Sequence, residues 1–399
     1  MIFYEFFAGG GMARLGLGKR WACSFANDIC AKKAVSYNAN FRRSNLLVKS
    51  IEDLTIRDLP DGVANLAWAS FPCQDLSLAG NGAGLDGDRS GTFWAFWNLI
   101  RDLQRVNRAP RLIVLENVTG AITSNKGEDF RTLLRALASA GYRFGPLVID
   151  GIHFVPQSRP RLFIVATDVH IPFPQEQRRA SPSDLWHSPA LRAAHENLSA
   201  DLKAKWLWLD LPAPPRRQLN LSSLLEPDAK VEWHSRHKTN FLLSIMSEVN
   251  LCKVREAQNL GCRVVGTLYK RTRNGVQRAE VRFDEVSGCL RTPGGGSSRQ
   301  TILVIQGESI RSRLITPREV GRLMGVPDRY KLPENYNEAY HLMGDGLVVP
   351  AVRWMGDCLL RPICEHQRQH LSAARHLLRS RVEKPLASRR RPVALHAQG

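Results

Sequence analysis

From residue 1 to about Thr167, short apolar runs alternate with amphipathic stretches, and this rhythm constrains the fold more than any other feature of the chain. A strand followed by a helical crossover returns beside its parent strand, so repeated βαβ units predict a mostly parallel sheet with helices on both faces. Candidate strands are Ile2 to Phe7, Ser24 to Asn27, Asn65 to Phe71, Leu112 to Leu115 and Arg161 to Ala166. Between them, Phe93 to Arg105 and Phe130 to Ala140 carry apolar residues at helical spacing. Open α/β sheets bind ligands beyond the carboxyl ends of their strands, so chemistry is expected where these runs stop.

Four such ends carry candidate site residues. The first strand runs into Phe7-Ala8-Gly9-Gly10-Gly11-Met12, where glycines let backbone N–H groups approach a ligand ahead of a helix start. Asp28 ends the next strand, at the distance from the glycine loop where a carboxylate accepts ribose hydroxyls, or else it is a surface aspartate beside a tight turn. Arg14 occupies the place of the third glycine in a G-x-G-x-x-G pattern, which favours an adenosyl ligand without a pyrophosphate. Cys73 follows the third run within Ser70-Phe71-Pro72-Cys73-Gln74, before a Gly-rich loop from Gly80 to Gly91. Read alone it is a buried small hydrophobe; read with the exposed loop and the basic side chains it is a thiolate nucleophile. The fourth run ends in Glu116-Asn117-Val118, and Arg159 and Arg161 alternate at the entrance of the fifth, facing one side of it. A guanidinium there can hold a carboxylate or a carbonyl oxygen in fork geometry.

Fifty-six Lys and Arg against 37 Asp and Glu leave a formal net charge of +19, which points to a polyanionic partner, nucleic acid first. The eight cysteines form no CxxC pair, so neither a zinc site nor a disulfide framework is predicted, and reduced thiols are expected. No run approaches the roughly 18 residues of a spanning helix, and a cytoplasmic location is expected. Composition changes after Asp168, where prolines and four tryptophans (Trp186, Trp206, Trp208 and Trp233) mark a less regular segment closing near Arg291-Thr292-Pro293-Gly294-Gly295-Gly296-Ser297-Ser298. Thr316-Pro317-Arg318-Glu319 reads as a helix start with Thr316 at the N-cap and Glu319 completing a capping box. A last helix is predicted from Pro350 to about Leu360, then a basic tail from 366 with a disordered end. The predicted organisation is a catalytic unit at 1–167, a target unit at 168–315, a return segment at 316–365 and the tail at 366–399.

Taken in order, the motifs at Phe7 to Gly11, Phe71 to Gln74, Arg89 to Gly91, Glu116 to Val118, Gln157 to Arg161, Thr316 to Glu319 and Gly344 to Val349 resemble the cytosine carbon-5 DNA methyltransferase family. The resemblance implies a Rossmann-like sheet with a smaller, irregular target-recognition domain between Arg161 and Thr316. It implies S-adenosylmethionine as donor, no metal, and a cofactor pocket drawn from Phe7, Ala8, Gly9, Gly11, Asp28, Ile29, Ser50, Ile51, Phe71, Phe93, Gly346 and Leu347. It implies duplex DNA as partner, met by Gln74, Ser77, Arg89, Arg291, Thr292 and Arg299, with further basic candidates from Lys270 to Arg282. The catalytic set is then Cys73, Glu116, Arg159 and Arg161: Cys73 adds to the ring, Glu116 serves ring nitrogen 3, Arg161 binds the ring carbonyl oxygen, and Arg159 orients Glu116, the loop or a phosphate, the two arginine roles being exchangeable. Lys49-Ser50-Ile51 replaces the family's Gly-Asp-Ile, and Asp345 stands where an asparagine is usual. A monomer is expected, beside a restriction endonuclease or as a solitary or phage-borne modifier. A tRNA-modifying enzyme of the same fold and a silent nucleic-acid-binding protein are the competing readings.

Overall fold

The computed structural model describes residues 1–42, 44–72, 91–273, 275–290 and 299–382. A seven-stranded sheet carries β1 (Ile2–Phe6), β2 (Ala22–Asp28), β3 (Leu46–Val48), β4 (Leu66–Ala69), β5 (Leu112–Val118), β6 (Tyr142–Asp150) and β7 (Pro160–Asp168) in the order β3-β2-β1-β4-β5-β7-β6. The first five in that order are parallel, and β7 runs antiparallel to both its neighbours. The central strands β4 and β5 are near-continuous apolar runs because helices cover both sheet faces. Those helices include α1 (Met12–Leu17), α2 (Ala31–Asn40), α3 (Thr92–Arg105) and α4 (Glu128–Ser139). Helix α3 buries Phe93, Phe96, Trp97, Ile100 and Leu103, a single stripe at helical spacing.

Within this sheet two strands escaped the sequence reading, β3 and β6, and the strand predicted at Arg161 to Ala166 is reversed. Only residues 151–159 join β6 to β7, too few for a helical crossover, so the pair must be antiparallel. Gly145 and Pro146 hide β6 in the sequence; a Cβ on Gly145 would lie 2.3 Å from the Leu209 side chain, so glycine is what lets that segment close onto the strand.

Beyond β7 the chain adds β8 (Arg178–Arg179), α5 (Pro189–Glu196), α6 (Ala200–Lys205), β9 (Trp208–Leu209), α7 (Leu221–Leu224), α8 (Arg236–Ser244) and α9 (Glu248–Asn259). A second, antiparallel sheet follows in the order β11-β10-β12-β13, from β10 (Arg263–Arg273), β11 (Val276–Arg282), β12 (Thr301–Gln306) and β13 (Ser309–Leu314). This sheet has a small core of its own with α8 and α9, around Leu242, Val254, Leu268, Val281 and Leu303. The main core nevertheless continues into the segment through Trp186, Leu209, Leu221, Leu290 and Ile302.

The chain then returns to the first sheet through α10 (Pro317–Leu323), α11 (Tyr336–Gly344) and α12 (Val349–Met355). The Thr316 capping box forms: the Thr316 hydroxyl accepts from the Glu319 N–H at 3.2 Å and the Glu319 carboxylate from the Thr316 N–H at 2.9 Å. The last helix outruns its predicted end, continuing through a π-helical turn (Gly356–Leu360) into α13 (Arg361–Val382). Residues 383–399 of the predicted tail lie outside the described residues. No helix among the described residues is long and apolar enough to cross a membrane.

Candidate active site

Strand order reverses between β1 and β4, and the reactive residues gather at the carboxyl edge around this switch point. Asp28, the last residue of β2, is buried; one carboxylate oxygen accepts the Gly9 N–H at 2.7 Å and the other the Cys30 N–H at 2.8 Å. Each oxygen keeps a further lone-pair direction for a ligand donor. Phe7 holds a left-handed φ of 56°, strain of the kind that collects at binding sites, and a Cβ on Gly9 would meet nothing within 4 Å. The turn is therefore open at Gly9, whose N–H Asp28 holds, which fits a nucleoside-type ligand. Ile29 is 70% exposed on the same rim, while Phe71 and Phe93 are buried with ring centroids 5.4 Å apart. Ile51 is buried, and the Ser50 hydroxyl accepts the Glu52 N–H at 3.4 Å as the cap of a short helical turn. Gly346 packs so tightly that a Cβ would lie 2.1 Å from the Met12 sulfur, and Leu347 beside it is buried. Ala8 is buried, and its carbonyl accepts the Gly11 N–H at 2.7 Å, closing the loop.

Glu116 belongs to β5 itself, one residue past the predicted strand end, and it is buried. Register places Glu116 opposite Phe163 and Val118 opposite Arg161, so Glu116 and Arg161 are diagonal neighbours on one sheet face. Arg161 Nε lies 3.5 Å from Glu116 Oε1. Burial raises the Glu116 pKa above the usual carboxylate range, against the opposing pull of Arg161, the Ser70 hydroxyl and Arg159. Asn117 donates to the Phe71 carbonyl at 3.4 Å, tying the segment that leads to Cys73 onto the strand that carries Glu116.

Arg159 has a different set of partners from Arg161. Although it alternates with Arg161, its guanidinium donates to the carbonyls of Leu290 at 2.8 Å, Gly344 at 2.5 Å and Gly346 at 2.8 Å, and it is 2% exposed. Its amide donates to Asp150 at 2.6 Å. A side chain so engaged is not aimed at a phosphate, and Glu116 touches it only through its field. Gln157, fully buried, accepts the Leu290 N–H at 3.1 Å and donates to the Leu323 carbonyl at 2.8 Å.

The other predicted contacts divide. Cys73, Gln74, Ser77, Arg89, Arg291 and Thr292 lie outside the described residues. Arg299 stands with its guanidinium 5.3 Å over the Tyr336 ring and donates to Asn337. On the β10–β11 hairpin, Arg282 is paired with Asp284 and Arg271 with Glu280, while Arg271 and Arg278 oppose each other across the strands. Asp345 makes a 2.8 Å ion pair with Lys33, which compensates its charge. Among the described residues, no three His, Cys, Asp or Glu side chains stand together as a metal-holding group.

One buried group was missed. Glu5 in β1 accepts the Arg14 N–H at 3.0 Å and the Tyr37 hydroxyl at 3.0 Å beneath the glycine loop, and burial pushes its pKa up to about 7. A charged residue inside an otherwise apolar strand was the visible signal.

The C-5 cytosine-specific DNA methylase family model matches residues 1–360. Similar proteins include the type II methyltransferase M.NgoBI of Neisseria gonorrhoeae, 26% identical over 87% of this chain and 89% of its own, and M.HpaII of Haemophilus parainfluenzae, 24% identical over 90% and 89%. Among solved structures, the Entamoeba histolytica methyltransferase EhMeth superposes with a TM-score of 0.60 at 15% identity over 91% of this chain and 98% of that one. Together with the carboxyl-edge site, the match over nearly the whole length shows that the chain belongs to the C-5 cytosine-specific DNA methylase family.

Proposed function

We propose that the protein transfers the methyl group of S-adenosylmethionine to carbon 5 of a cytosine flipped out of duplex DNA at a specific sequence. The observation that carries this reading is the buried Glu116–Arg161 pair at the carboxyl edge, beside the Phe71-Pro72 segment that delivers Cys73. S-adenosylmethionine, when bound, supplies the electrophilic methyl group; Asp28, the Gly9 turn, Phe7 and Ile51 are the residues that would hold it. Because carbon 5 of cytosine is a weak nucleophile, the Cys73 thiolate first bonds to carbon 6, and the 5,6 double-bond electrons make carbon 5 reactive. Charge moving onto ring nitrogen 3 is met by the Glu116 acid, whose burial favours the protonated form at that position. Arg161 binds the ring carbonyl oxygen and holds Glu116 in place. With the donor bound, carbon 5 would take the methyl group and S-adenosylhomocysteine would leave; loss of the carbon-5 proton to solvent re-forms the 5,6 double bond and releases the Cys73 sulfur.

A base within a duplex cannot reach this site, and unstacking it costs a few kcal/mol that phosphate contacts offset. The net charge of +19 and the Arg271–Arg278 opposition on the hairpin support such contacts. In this reading residues 1–167 and 316–365 form the catalytic unit, 168–315 the target-recognition unit, and the protein works as a cytoplasmic monomer with a cognate restriction endonuclease or alone. Labelled methyl transfer to duplex DNA against tRNA, with Cys73→Ala alongside, tests it. Label on DNA that the variant loses is expected, and bisulfite sequencing then returns one short motif. Label on tRNA alone, or undiminished label from the variant, overturns the reading.

A further inference from the structure

The loop between β6 and β7 stands at the catalytic edge, because β6 runs parallel to β5 and ends there at Asp150. Two strands separate it from the strand of Glu116 only by about 10 Å, at the usual sheet spacing. In this loop the Ile152 carbonyl accepts the Arg217 Nε–H at 3.2 Å, which fixes a segment 65 residues further along the chain beside it. That segment is stiff. Leu211 and Pro212 offer their carbonyls to the indole N–H groups of Trp186 and Trp354, the second at 2.9 Å, while Pro214 and Pro215 have a fixed φ and no N–H to give. On the loop side, His153 packs edge-on against Trp186 with ring centroids 5.7 Å apart.

Loop and segment enclose a cavity of about 390 Å³ whose lining includes Ile152, His153, Pro214, Arg216, Arg217 and Asn220. Two guanidinium groups and an imidazole line it, and no described carboxylate does. Asp150, at the start of the loop, is engaged elsewhere: it accepts the Ile152 N–H at 3.0 Å, the Arg159 N–H at 2.6 Å and the Ser158 hydroxyl at 3.3 Å. Arg216 is exposed and makes no ion pair among the described residues. Arg217 Nη1 is buried with no hydrogen-bond partner among them. A buried donor left unpaired is costly, so the arrangement calls for acceptor oxygens, and guanidinium forks match those of a phosphate.

We propose that Arg216 and Arg217, with His153 beside them, bind a backbone phosphate of the duplex close to the flipped cytosine. The lateral offset of roughly 10 Å corresponds to about three base pairs at 3.4 Å each. A contact of this kind carries no sequence information and fixes the register of the duplex on the catalytic edge. The proposal deepens the methylating reading and rests on it for duplex DNA as the source of the phosphate. Binding is scored without methyl transfer, so absent transfer beside intact binding counts against that reading alone.

The test titrates labelled duplexes of unrelated sequence by anisotropy across a range of KCl, using the full chain. Four variants are compared with the parent: Arg216→Gln, Arg216→Gln with Arg217→Gln, Arg216→Lys, and Lys19→Gln, whose exposed side chain precedes β2 on the opposite, amino edge. The salt slope of log K is expected to fall by about 1 in Arg216→Gln and by about 1–2 in the double variant, at roughly 0.9 for each phosphate no longer neutralised. Affinity at moderate salt falls about 5–30-fold and by the same factor on every sequence. Arg216→Lys keeps the slope, and Lys19→Gln keeps both slope and affinity. Arg217 also ties the loop, so Arg216→Gln decides the outcome if the double variant does not fold. An unchanged slope in Arg216→Gln overturns the proposal, and so does an equal fall in Lys19→Gln, which marks net charge instead of a site. Inorganic phosphate retained by the parent in equilibrium dialysis and lost by the double variant, with the DNA slope unchanged, assigns the cavity to a free phosphate compound and overturns the DNA source.

Discussion

The guanidinium of Arg159 holds the carbonyl of Leu290 at 2.8 Å, and the same side chain reaches the carbonyls of Gly344 and Gly346, the latter packed on Met12 after the glycine turn. With Gln157 holding the Leu290 N–H, both backbone polar groups of Leu290 are gripped immediately before the Gly-rich segment at 291–298. Two arginines two residues apart thus have different work. Arg161 stands beside Glu116, and Arg159 ties together the backbone of distant segments.

This division predicts different losses. Arg159→Ala leaves three carbonyls without their donor and costs several kcal/mol of stability, read as a large fall in the urea midpoint. Arg161→Ala is expected to shift the midpoint little while lowering kcat by at least about 100-fold. If Arg159→Ala melts like the parent and loses only kcat, its placement as a positioning residue is wrong.

Glu116 predicts a pH dependence. Burial raises its pKa, so the acid form needed at ring nitrogen 3 persists to higher pH than for an ordinary carboxylate, and kcat falls as pH rises through that raised value. Glu116→Gln is expected to lower kcat by about 10²–10⁴ and to remove this alkaline decline. Rate–pH profiles of both proteins, taken at saturating DNA, check the sign.

Glu5 predicts a stability linkage. Its pKa is near 4.5 unfolded and about 7 folded, so the folded state binds the extra proton, and the stability this contributes is full below about pH 4.5 and gone above about pH 7. Across that window Glu5→Gln, which keeps the neutral hydrogen-bonding shape, is expected to gain on the parent by about 3 kcal/mol. Denaturant titrations at pH 5 and pH 8 measure the difference; a constant gap would show that Glu5 does not titrate there.

Ion pairs at two depths predict a contrast. Arg313 and Glu319 are each 1% exposed and meet at 2.6 Å, joining β13 to α10, so Arg313→Ala leaves a buried carboxylate and costs about 3–5 kcal/mol. The Lys33–Asp345 pair is partly exposed, and Asp345→Asn is expected to change stability by less than about 1 kcal/mol. Equal effects from the two substitutions in the same urea series would contradict the burial argument.

Local chemistry was legible in the chain because it depends on neighbours in sequence. The apolar alternation predicted the first sheet, the spacing in α3 its buried stripe, and Thr316 with Glu319 the helix cap, since these rest on strand period, helix period and short-range hydrogen bonding. The glycine turn followed by Asp28, and Glu116 at a strand end, were visible for the same reason. Tertiary structure decided what depends on distant partners. The reversal of β7 follows from a connection too short to cross over, and the separation of Arg159 from Arg161 follows from carbonyls 131 and 185 residues away. Only the packed protein removes water from Glu116 and Glu5 and so moves their protons, because desolvation is a property of the fold and not of any local run of residues.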